Sequence, residues 1–297
     1  MKKGWIIYNI NFENSEKFYD HVTWFIDEAK KQNITLEAKN NTDVLFTVSD
    51  TFVTASILEN KPDFVIFFDK DIRLAQSLEN IGVRVFNTSN AIEICDDKTL
   101  TQIILTKNNI KTPKTIICPK SFRKLNENEI GFLEHITKEF SFPLVIKEAF
   151  GSFGNEVYLI NNNDELRNKT LQLSDKPILF QEYIQESRGR DIRLHIVGGD
   201  FVGAVMRTNQ KDFRANASNG GVMTTYIPTL QEINIAQTAC KAIGLDFAGI
   251  DILFGKDGPL VCEVNSNAHM KNFYMATGVN IVEKIISYID KEIYEGK

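Results

Sequence analysis

Oxygen-bearing side chains recur on two apolar, strand-like segments near the end of the chain. Asp251 follows Gly249-Ile250 in the first segment, and Glu263 and Asn265 flank a valine in the second. Because alternate residues of a strand share a face, Glu263 and Asn265 point the same way, and Asp251 lies on their expected hairpin partner. Two carboxylates and an amide oxygen in apolar surroundings suit a hard cation such as Mg²⁺. Ion pairing with nearby Lys or Arg is the alternative interpretation.

A second group of residues suits phosphate. The apolar run 142–146 leads to Lys147, and the loop Gly151-Ser152-Phe153-Gly154 follows shortly after it. Glycine lets backbone N–H groups approach an anion closely, and lysine supplies positive charge. The pattern indicates a phosphate-binding loop without the spacing of a Walker motif. The alternative is a solvent-facing lysine before an ordinary hairpin.

Arginine side chains fall on the strand-like runs that precede the oxygen-bearing segments. Arg193 and Arg207 lie on two runs joined by a tight turn at 198–200, and Arg214 follows them. The planar guanidinium fork of arginine suits phosphate and carboxylate groups, so these residues are candidates for holding an anionic substrate. His195 lies between two apolar residues, which favours a buried strand histidine over a general base.

The composition is typical of a soluble globular protein. The chain has 297 residues, of which 43% are hydrophobic and 25% charged, and its net charge is −5. This balance disfavours a nucleic-acid partner. We find no apolar run near the roughly 20 residues of a membrane helix, and no signal peptide at the start. Cys95, Cys118, Cys240 and Cys262 form no CxxC pair, which predicts buried thiols in a reducing compartment.

The first 90 residues alternate strand and helix signals, which predicts a parallel α/β sheet. The predicted strands are Trp5–Tyr8, Val44–Val48, Phe64–Phe68 and Val83–Phe86, and the predicted helices span about 18–29 and 71–82. We expect a linker at 87–90 and a helix at about 96–108. No GxGxxG motif follows the first strand, so a nicotinamide cofactor is not supported.

Strand signals dominate from residue 142 onward. The predicted strands are 144–148, 157–160, 178–184, 192–197, 201–206, 246–254 and 260–264. Helical spacing of apolar residues predicts helices at about 128–138, 231–243 and 281–293.

In this order and spacing the motifs resemble those of the ATP-grasp superfamily, and within it those of the RimK-like amino-acid ligases. The matching segments, from about Asp96 to Val282, are Asp97-Lys98, Phe142–Lys147 with its glycine loop, Gln181–Ile184, Gly189–Arg193, Asp212–Asn216, Gly220-Gly221, Ala248–Asp251 and Glu263–Asn265. The resemblance implies an α/β (α+β) fold class: an N-terminal parallel α/β domain at 1–90, then a two-lobed ATP-grasp fold with a central lobe at 91–176 and a C-terminal lobe at 177–297.

The resemblance also implies roles for the site residues. The expected ATP contacts are Lys98 and Lys147 at the phosphates, Gln181, Glu182, Tyr183 and Ile184 at the adenine, Asp191 at the nucleotide or substrate edge, and Arg214, Ala215 and Asn216 at the phosphate end. The expected catalytic residues are Arg207, which would steady an acyl phosphate, Lys147 and Arg193. The expected ligands of two Mg²⁺ ions, with Mn²⁺ as the alternative metal, are Asp251, Glu263 and Asn265. By strand alternation Val145 and Leu253 would form apolar walls around adenine.

The activity expected from this resemblance is ATP-dependent ligation of a carboxylate to an amine through an acyl phosphate. An amino acid such as glutamate would be added to a peptide, protein or metabolite in the cytoplasm, without nucleic-acid or membrane partners. The alternatives are another ATP-grasp ligase of the D-alanine–D-alanine or glutathione-synthetase type, or a nucleotide-binding sensor without catalysis. The sequence leaves homo-oligomerisation open.

The loop after Asn265 departs from the small, Pro- and Gly-containing sequence usual in this family. It reads Ser266-Asn267-Ala268-His269-Met270-Lys271. Because it directly follows the expected metal ligands, we hypothesise that it helps select the substrate, with His269 and Lys271 as direct contacts. The alternative is a solvated connection to the last helix.

Overall fold

The N-terminal part of the chain builds a parallel sheet of order β2-β1-β5-β6. The computed structural model describes residues 2–12, 16–49, 53–55, 60–151, 154–215 and 220–295. The first elements are β1 (Lys2–Tyr8), α1 (Glu16–Lys31), β2 (Ile34–Asn40), β3 (Phe46–Val48), β4 (Val53–Ala55), β5 (Phe64–Phe68), α2 (Ile72–Asn80) and β6 (Arg84–Phe86). The predicted parallel sheet is therefore confirmed.

The second strand of that sheet is not the predicted one. The run at 44–48 contributes β3, which pairs with β4 outside the sheet, and Ile34–Asn40 takes the place beside β1. Only Ile34 and Leu36 carry the apolar face of β2, and charged residues follow them. The apolar signal in β2 was therefore too short to predict a strand.

The predicted linker at 87–90 is wrong. Helix α3 (Ser89–Asp96) begins there, because the Thr88 hydroxyl caps it by accepting a hydrogen bond from the Ala91 N–H. Asn87 is 1% exposed. Helix α4 (Lys98–Lys107) follows at once, and its N-cap Asp97 accepts hydrogen bonds from Thr99 N and Leu100 N. The helix predicted at about 96–108 is thus confirmed.

An antiparallel sheet of order β7-β10-β8-β9 follows. Its elements are β7 (Thr115–Ile117), α5 (Leu133–Glu139), β8 (Leu144–Glu148), β9 (Val157–Ile160), α6 (Asn163–Leu173) and β10 (Ile178–Glu182). Helix α6 was not predicted, because it is mostly polar and buries only Leu166, Thr170 and Leu173. Its start is instead fixed by Asn162, whose side chain accepts a hydrogen bond from Glu165 N.

A second antiparallel sheet of order β13-β12-β11-β14-β15 carries the remaining candidate residues. Its elements are β11 (Arg190–Val197), β12 (Asp200–Thr208), β13 (Val222–Tyr226), α7 (Leu230–Ile243), β14 (Phe247–Gly255), β15 (Gly258–Asn265), α8 (Lys271–Thr277) and α9 (Ile281–Glu295). β13 and α8 were not predicted. The hairpin of β14 and β15 was, and Asp251 lies opposite Glu263 in it.

One hydrophobic core joins the two ends of the chain. Ile6, Phe25 and Ile34 from the N-terminal sheet and α1 share it with Ile285 and Ile289 of α9. The division at 1–90, 91–176 and 177–297 stays a prediction. In the part of the chain that the structure describes, no helix is both long and apolar enough to cross a membrane.

Candidate active site

One cleft gathers most of the candidate residues. It is partly open to solvent, and both antiparallel sheets line it. Its apolar lining includes Val145 and Leu253, as expected, together with Val157, Ile184 and Phe213. The predicted site residues along it are Lys98, Lys147, Gln181, Glu182, Tyr183, Ile184, Asp191, Arg207, Arg214, Ala215, Asp251 and Glu263.

Three predicted residues are not part of that lining. Arg193 pairs with Asp251 next to the cleft, and Asn265 Nδ2 donates to Gly249 O at 3.3 Å. Asn216 lies outside the described residues, as do Ser152 and Phe153 of the predicted phosphate loop.

Two lysines enter the cleft from different elements. Lys98 is the first residue of α4, and its Nζ donates to Gly151 O at 2.9 Å. Lys147 lies in β8, and its Nζ is 3.4 Å from Cys262 Sγ. Burial lowers the pKa of Lys98, and Glu263 opposes this shift while Lys147 adds to it. The lysines therefore bring like charges into one partly buried place, which a polyphosphate would compensate.

The loop after β8 requires glycine at two described positions. Gly151 has φ +149°, and a Cβ there would lie 2.4 Å from Glu156 Oε2. Gly154 has φ +74°, and its carbonyl oxygen accepts a short hydrogen bond from Arg214 Nη1. Arg214 is itself held by Asp212, which raises the pKa of the guanidinium. The loop and the segment after β12 are thus joined at one end of the cleft.

The segment at the end of β10 presents both apolar and backbone groups to the cleft. Glu182 is turned toward β7, where its Oε1 accepts from Lys114 N at 2.7 Å and its backbone N donates to Lys114 O at 3.0 Å. Gln181 is 2% exposed and donates to Thr115 Oγ1. The Tyr183 ring lies 6.3 Å from that of Phe213. The Glu182 carboxylate therefore anchors the segment, leaving its backbone as the part available to a base edge.

A buried charge network occupies the floor of the cleft. Arg207 is 3% exposed and forms a bidentate pair with Asp191, at 2.6 and 2.7 Å. Its Nη2 also lies 2.8 Å from Asp251 Oδ2. Burial alone would lower the pKa of Arg207, but Asp251 and Asp191 raise it above its ordinary value. Arg207 therefore stays charged, while burial raises the pKa of Asp191 against the effect of Arg207.

Asp251 forms ion pairs with two arginines, which was the alternative interpretation of the sequence. Arg193 Nε and Nη2 donate to its two carboxylate oxygens at 2.6 and 2.8 Å, from the directly opposite position of β11. Burial would raise the pKa of Asp251, but Arg193 and Arg207 hold it below its ordinary range. The carboxylate is thus ionised and oriented.

The oxygen donors nevertheless fit a hard cation. A carboxylate has about four lone-pair sites, so Asp251 can accept from arginine and still bind metal. The Glu263 side chain makes no hydrogen bond or salt bridge to another described residue. Asn265 uses its Nδ2 on Gly249 O, so Oδ1 is the atom of this amide that could bind a metal. The three donors are all oxygens, as Mg²⁺ prefers.

His195 lies where the sequence predicted, whereas the loop after Asn265 packs against helix α1. His195 is 2% exposed in β11, as predicted, and burial lowers its pKa to about 3. His269 instead packs against the His21 ring of α1, with centroids 4.4 Å apart. Lys271 begins α8 and forms a salt bridge with Asp20 at 2.5 Å. The loop is thus docked on helix α1, so it is not a solvated connection, and its proposed role in substrate choice stays a prediction.

Sequence reasoning missed Cys262 and Ser187 in the lining of the cleft. Asp251 is opposite Glu263 but Ile252 is opposite Val261, so Cys262 is the extra residue of a β-bulge. Strict alternation would turn Cys262 away from the face of Glu263, and no sequence signal marked the bulge. Ser187 accepts a hydrogen bond from Phe254 N at 2.7 Å and follows a turn that has no motif of its own.

Comparison with known proteins shows the family to which the chain belongs. A model of the RimK-like ATP-grasp domain matches residues 95–289. A Mycoplasma pneumoniae protein, the MG012 homolog, is 34% identical over 295 residues, which are 97% of this chain and 100% of that protein. A probable alpha-L-glutamate ligase of Picosynechococcus sp. is 34% identical over 227 residues, which are 75% of this chain and 73% of that protein.

Solved structures share the fold across the whole chain. D-alanine–D-alanine ligase from Bacillus anthracis aligns with a TM-score of 0.74 at 17% identity, over 100% of this chain and 98% of that chain. Its complex with ATP aligns with a TM-score of 0.72 at 18% identity, over the same shares. The fold and the matches together define an ATP-dependent ligase of the ATP-grasp class. Within that class, the chain belongs to the RimK-like family.

Proposed function

We propose that this protein joins a carboxylate to an amine in an amide or peptide bond, through an acyl phosphate formed from ATP. The observation that supports this proposal is that positively charged residues and carboxylates line the same cleft. Cations from three elements (Lys98, Lys147 and Arg207) lie in the same lining as the carboxylates Asp251 and Glu263. Phosphoryl transfer depends mainly on positioning and on neutralising charge, and this arrangement supplies both.

The nucleotide would lie with its base at the end of β10 and its phosphates at the glycine loop. Val145 and Leu253 would enclose the base, and the backbone of 182–184 would contact its edge. Lys98, Lys147 and Arg214 would neutralise the phosphates, with Ala215 and Asn216 beside them. Asp191 would act indirectly, because its carboxylate is already taken by Arg207.

Asp251, Glu263 and Asn265 would hold two Mg²⁺ ions, with Mn²⁺ as an alternative. Bound there, the metal would offset the negative charge that develops between the phosphates of ATP. Arg193 keeps the Asp251 carboxylate ionised, and its two hydrogen bonds fix the orientation of that carboxylate.

The reaction balances without an enzyme nucleophile. A carboxylate oxygen of the first substrate attacks the γ-phosphorus of ATP, and ADP leaves with the electrons of the broken P–O bond. The neutral amine of the second substrate then attacks the acyl carbon, inorganic phosphate leaves, and the amine loses a proton. Arg207, which stays charged, would stabilise the oxyanion of the tetrahedral intermediate.

For the substrates, we propose that an amino acid such as glutamate is joined to a peptide, protein or metabolite in the cytoplasm. Relatives named probable alpha-L-glutamate ligases support this choice. Ligation of the D-alanine–D-alanine type, whose enzyme from Bacillus anthracis shares the fold, or of the glutathione type is the second candidate. Nucleic acid and membrane are not among the proposed partners, and a homo-oligomer is compatible with the proposal.

The test is ADP release from Mg-ATP with each member of a panel of amino acids and short peptides, with mass spectrometry of the products. We expect ADP release that depends on both organic substrates and on Mg²⁺, and a product whose mass is the sum of the two substrates less one water. Removal of Mg²⁺ with EDTA should abolish the release. Tight ATP binding without turnover across the panel would support the nucleotide-binding sensor instead.

A further inference from the structure

Strand β13 forms an open edge of the five-stranded sheet. β12 pairs with one side of it, from Ala204 opposite Tyr226 to Thr208 opposite Val222. In the part of the chain that the structure describes, no strand pairs with the other side of β13. Alternate residues of β13 therefore direct their backbone N–H and C=O groups outward. Such a row of groups is a template on which another strand can pair.

Two other edge strands of the molecule are protected, whereas β13 is not. Charged side chains, proline and covering segments are the usual protection of an edge. β15, at the opposite edge of the same sheet, is covered where Val261 N donates to Lys111 O at 2.9 Å, and β2 carries Glu37 and Lys39. β13 contains no charge and no proline, and it lies within 215–231, the longest uncharged run of the sequence. Its composition therefore does not oppose pairing with another strand.

Exposed apolar side chains lie on β13 and on the two helices next to it. Val222, Ile227, Leu230 and Met275 are each between 61% and 90% exposed. Val222 begins β13, Leu230 begins α7 just after that strand, and Met275 belongs to α8, which packs against β13. The apolar surface thus extends beyond the strand onto two helices. A partner that covers all of it must be wider than a single extended peptide, and a second copy of the chain meets this requirement.

The sequence of β13 is complementary to itself. In an antiparallel pair of two copies centred on Thr224, every residue of the strand has a partner. Thr224 lies opposite Thr224 of the second copy, Met223 lies opposite Thr225, and Val222 lies opposite Tyr226. Residues in each pair are an even number of positions apart, so outward backbone groups of one strand meet outward groups of the other. Pairs of two threonines, and of an aromatic with a β-branched residue, stabilise antiparallel sheets.

We propose that two copies of the chain form a dimer by antiparallel pairing of their β13 strands, which joins the two five-stranded sheets into one continuous sheet. A two-fold axis passes through Thr224, so both copies contribute the same surface. Continued past the strand, this register places the exposed Ile227 opposite Gly221 of the second copy, a position without a side chain. The dimer goes beyond the proposed ligase activity and does not depend on it. Because Met223 lies opposite Arg207, the dimer interface is one strand away from the charge network of the cleft.

Sedimentation equilibrium over a dilution series of the full chain measures the dimer. We expect a mass of twice the 33.8 kDa of one chain at the higher concentrations. Thr224→Lys places two like charges opposite each other on the axis, so it should raise the Kd of the dimer by at least about 10-fold. Thr47→Lys, the same change at an exposed position of β3, is the matched control and should leave the Kd unchanged. Circular dichroism of Thr224→Lys should match that of the wild type, because Thr224 is exposed in one copy.

Cysteine cross-linking tests the register of the pair. Mild oxidation of Thr224→Cys should give a disulfide between two chains, since directly paired Cα atoms are about 4.5–5.5 Å apart, within the range of a disulfide. Thr225→Cys is the matched control, because in this register its Cα atoms in the two copies are about 8 Å apart, too far for a disulfide. The wild type, with its four native cysteines, gives the background.

Three results would overturn the proposal. A wild-type chain that stays monomeric at every concentration would reject the dimer and leave the edge of β13 to a peptide strand. An unchanged Kd in folded Thr224→Lys would show that the copies associate through another surface. Cross-linking of Thr225→Cys in preference to Thr224→Cys would reject the pairing centred on Thr224.

Discussion

Asp251 and Glu263 face each other across one strand pair but have different surroundings. Asp251 is held by Arg193 and Arg207, and removal of either arginine would leave a buried charge less compensated. The Glu263 side chain has no hydrogen bond or salt bridge to another described residue. At the scale of single residues, the fold therefore depends on Asp251, whereas Glu263 is available to a ligand.

We expect Glu263→Gln to keep the fold and to lose Mg²⁺-dependent activity, because an amide lacks the charge with which a carboxylate bridges cations. ADP release is measured against Mg²⁺ concentration, together with thermal melting. Glu134→Gln, on the exposed side of α5, is the control and should behave as wild type. A collapse of stability with normal activity per folded molecule would show that Glu263 is a structural residue.

Lys147→Ala should weaken ATP binding and reduce kcat by about 10²- to 10³-fold, since one group that stabilises transferring charge is lost. Among the described residues its ammonium group has one hydrogen-bond partner, Cys262 Sγ, so stability should change little. Calorimetric titration with ATP and steady-state kinetics measure the two effects. The control is Lys176→Ala, which removes an exposed lysine paired with Glu148. Wild-type affinity and rate in Lys147→Ala would exclude a role at the phosphates.

At the scale of elements, one face of β11 carries Asp191, Arg193 and His195 at alternate positions. The first two belong to the charge network, and His195 is packed against Phe273 with ring centroids 4.5 Å apart. Burial lowers the pKa of His195 to about 3, and the Arg193 charge adds to the shift. The same strand thus supplies Asp191 and Arg193 to the charge network at the cleft and a neutral imidazole to the core.

This neutral imidazole should make the protein sensitive to acid. Between about pH 6.5 and pH 3 the unfolded chain binds a proton at His195 that the folded chain excludes, so stability is complete above that window and falls as pH falls through it. The slope from this group is at most about 1.4 kcal/mol per pH unit. Urea unfolding between pH 8 and pH 4 should give a shallower pH dependence for His195→Leu than for wild type. His135→Leu, at an exposed site, is the control; equal slopes for His195→Leu and wild type would contradict the argument.

The sequence predicted elements well where apolar residues kept a regular period. The alternation on β15 placed Glu263 and Asn265 on one face and made Asp251 their neighbour, and the register agrees. Prediction from the sequence failed where a single hydrogen bond or one extra residue determines the structure. Cys262 reaches the cleft through a bulge, and Asn87 looked like part of a linker because its partners lie about 160 residues away. Such long-range contacts leave no local pattern.

At the scale of the molecule, Asn87 links the N-terminal sheet to the hairpin with the proposed metal ligands. Its side chain donates to Phe247 O and Ser266 O and accepts from Asp246 N and Phe247 N, at 2.7–3.2 Å. Ser266 directly follows Asn265, so Asn87 also fixes the end of β15. All the hydrogen-bonding groups of this amide are therefore used between distant parts of the chain.

Asn87→Ala removes the side-chain partner of these four backbone groups in the interior. We expect a loss of about 2–4 kcal/mol in the free energy of unfolding, measured by urea denaturation. Asn108→Ala removes an exposed amide that donates only to Ile104 O, and it should cost less than about 1 kcal/mol. If both variants lose the same small amount, Asn87 does not connect the two parts as described.

The core shared by the N-terminal sheet and α9 sets an order of events during synthesis. Ile6 and Ile34 leave the ribosome early, but their partners Ile285 and Ile289 are made about 250 residues later. At about 5–20 residues per second, that face of the sheet stays uncovered for roughly 12 to 50 s. During this interval the nascent chain exposes an apolar, aggregation-prone surface. Chaperones that shield this surface would therefore raise the yield of native protein. Translation pauses in the second half of the message would lengthen the exposure and favour aggregation.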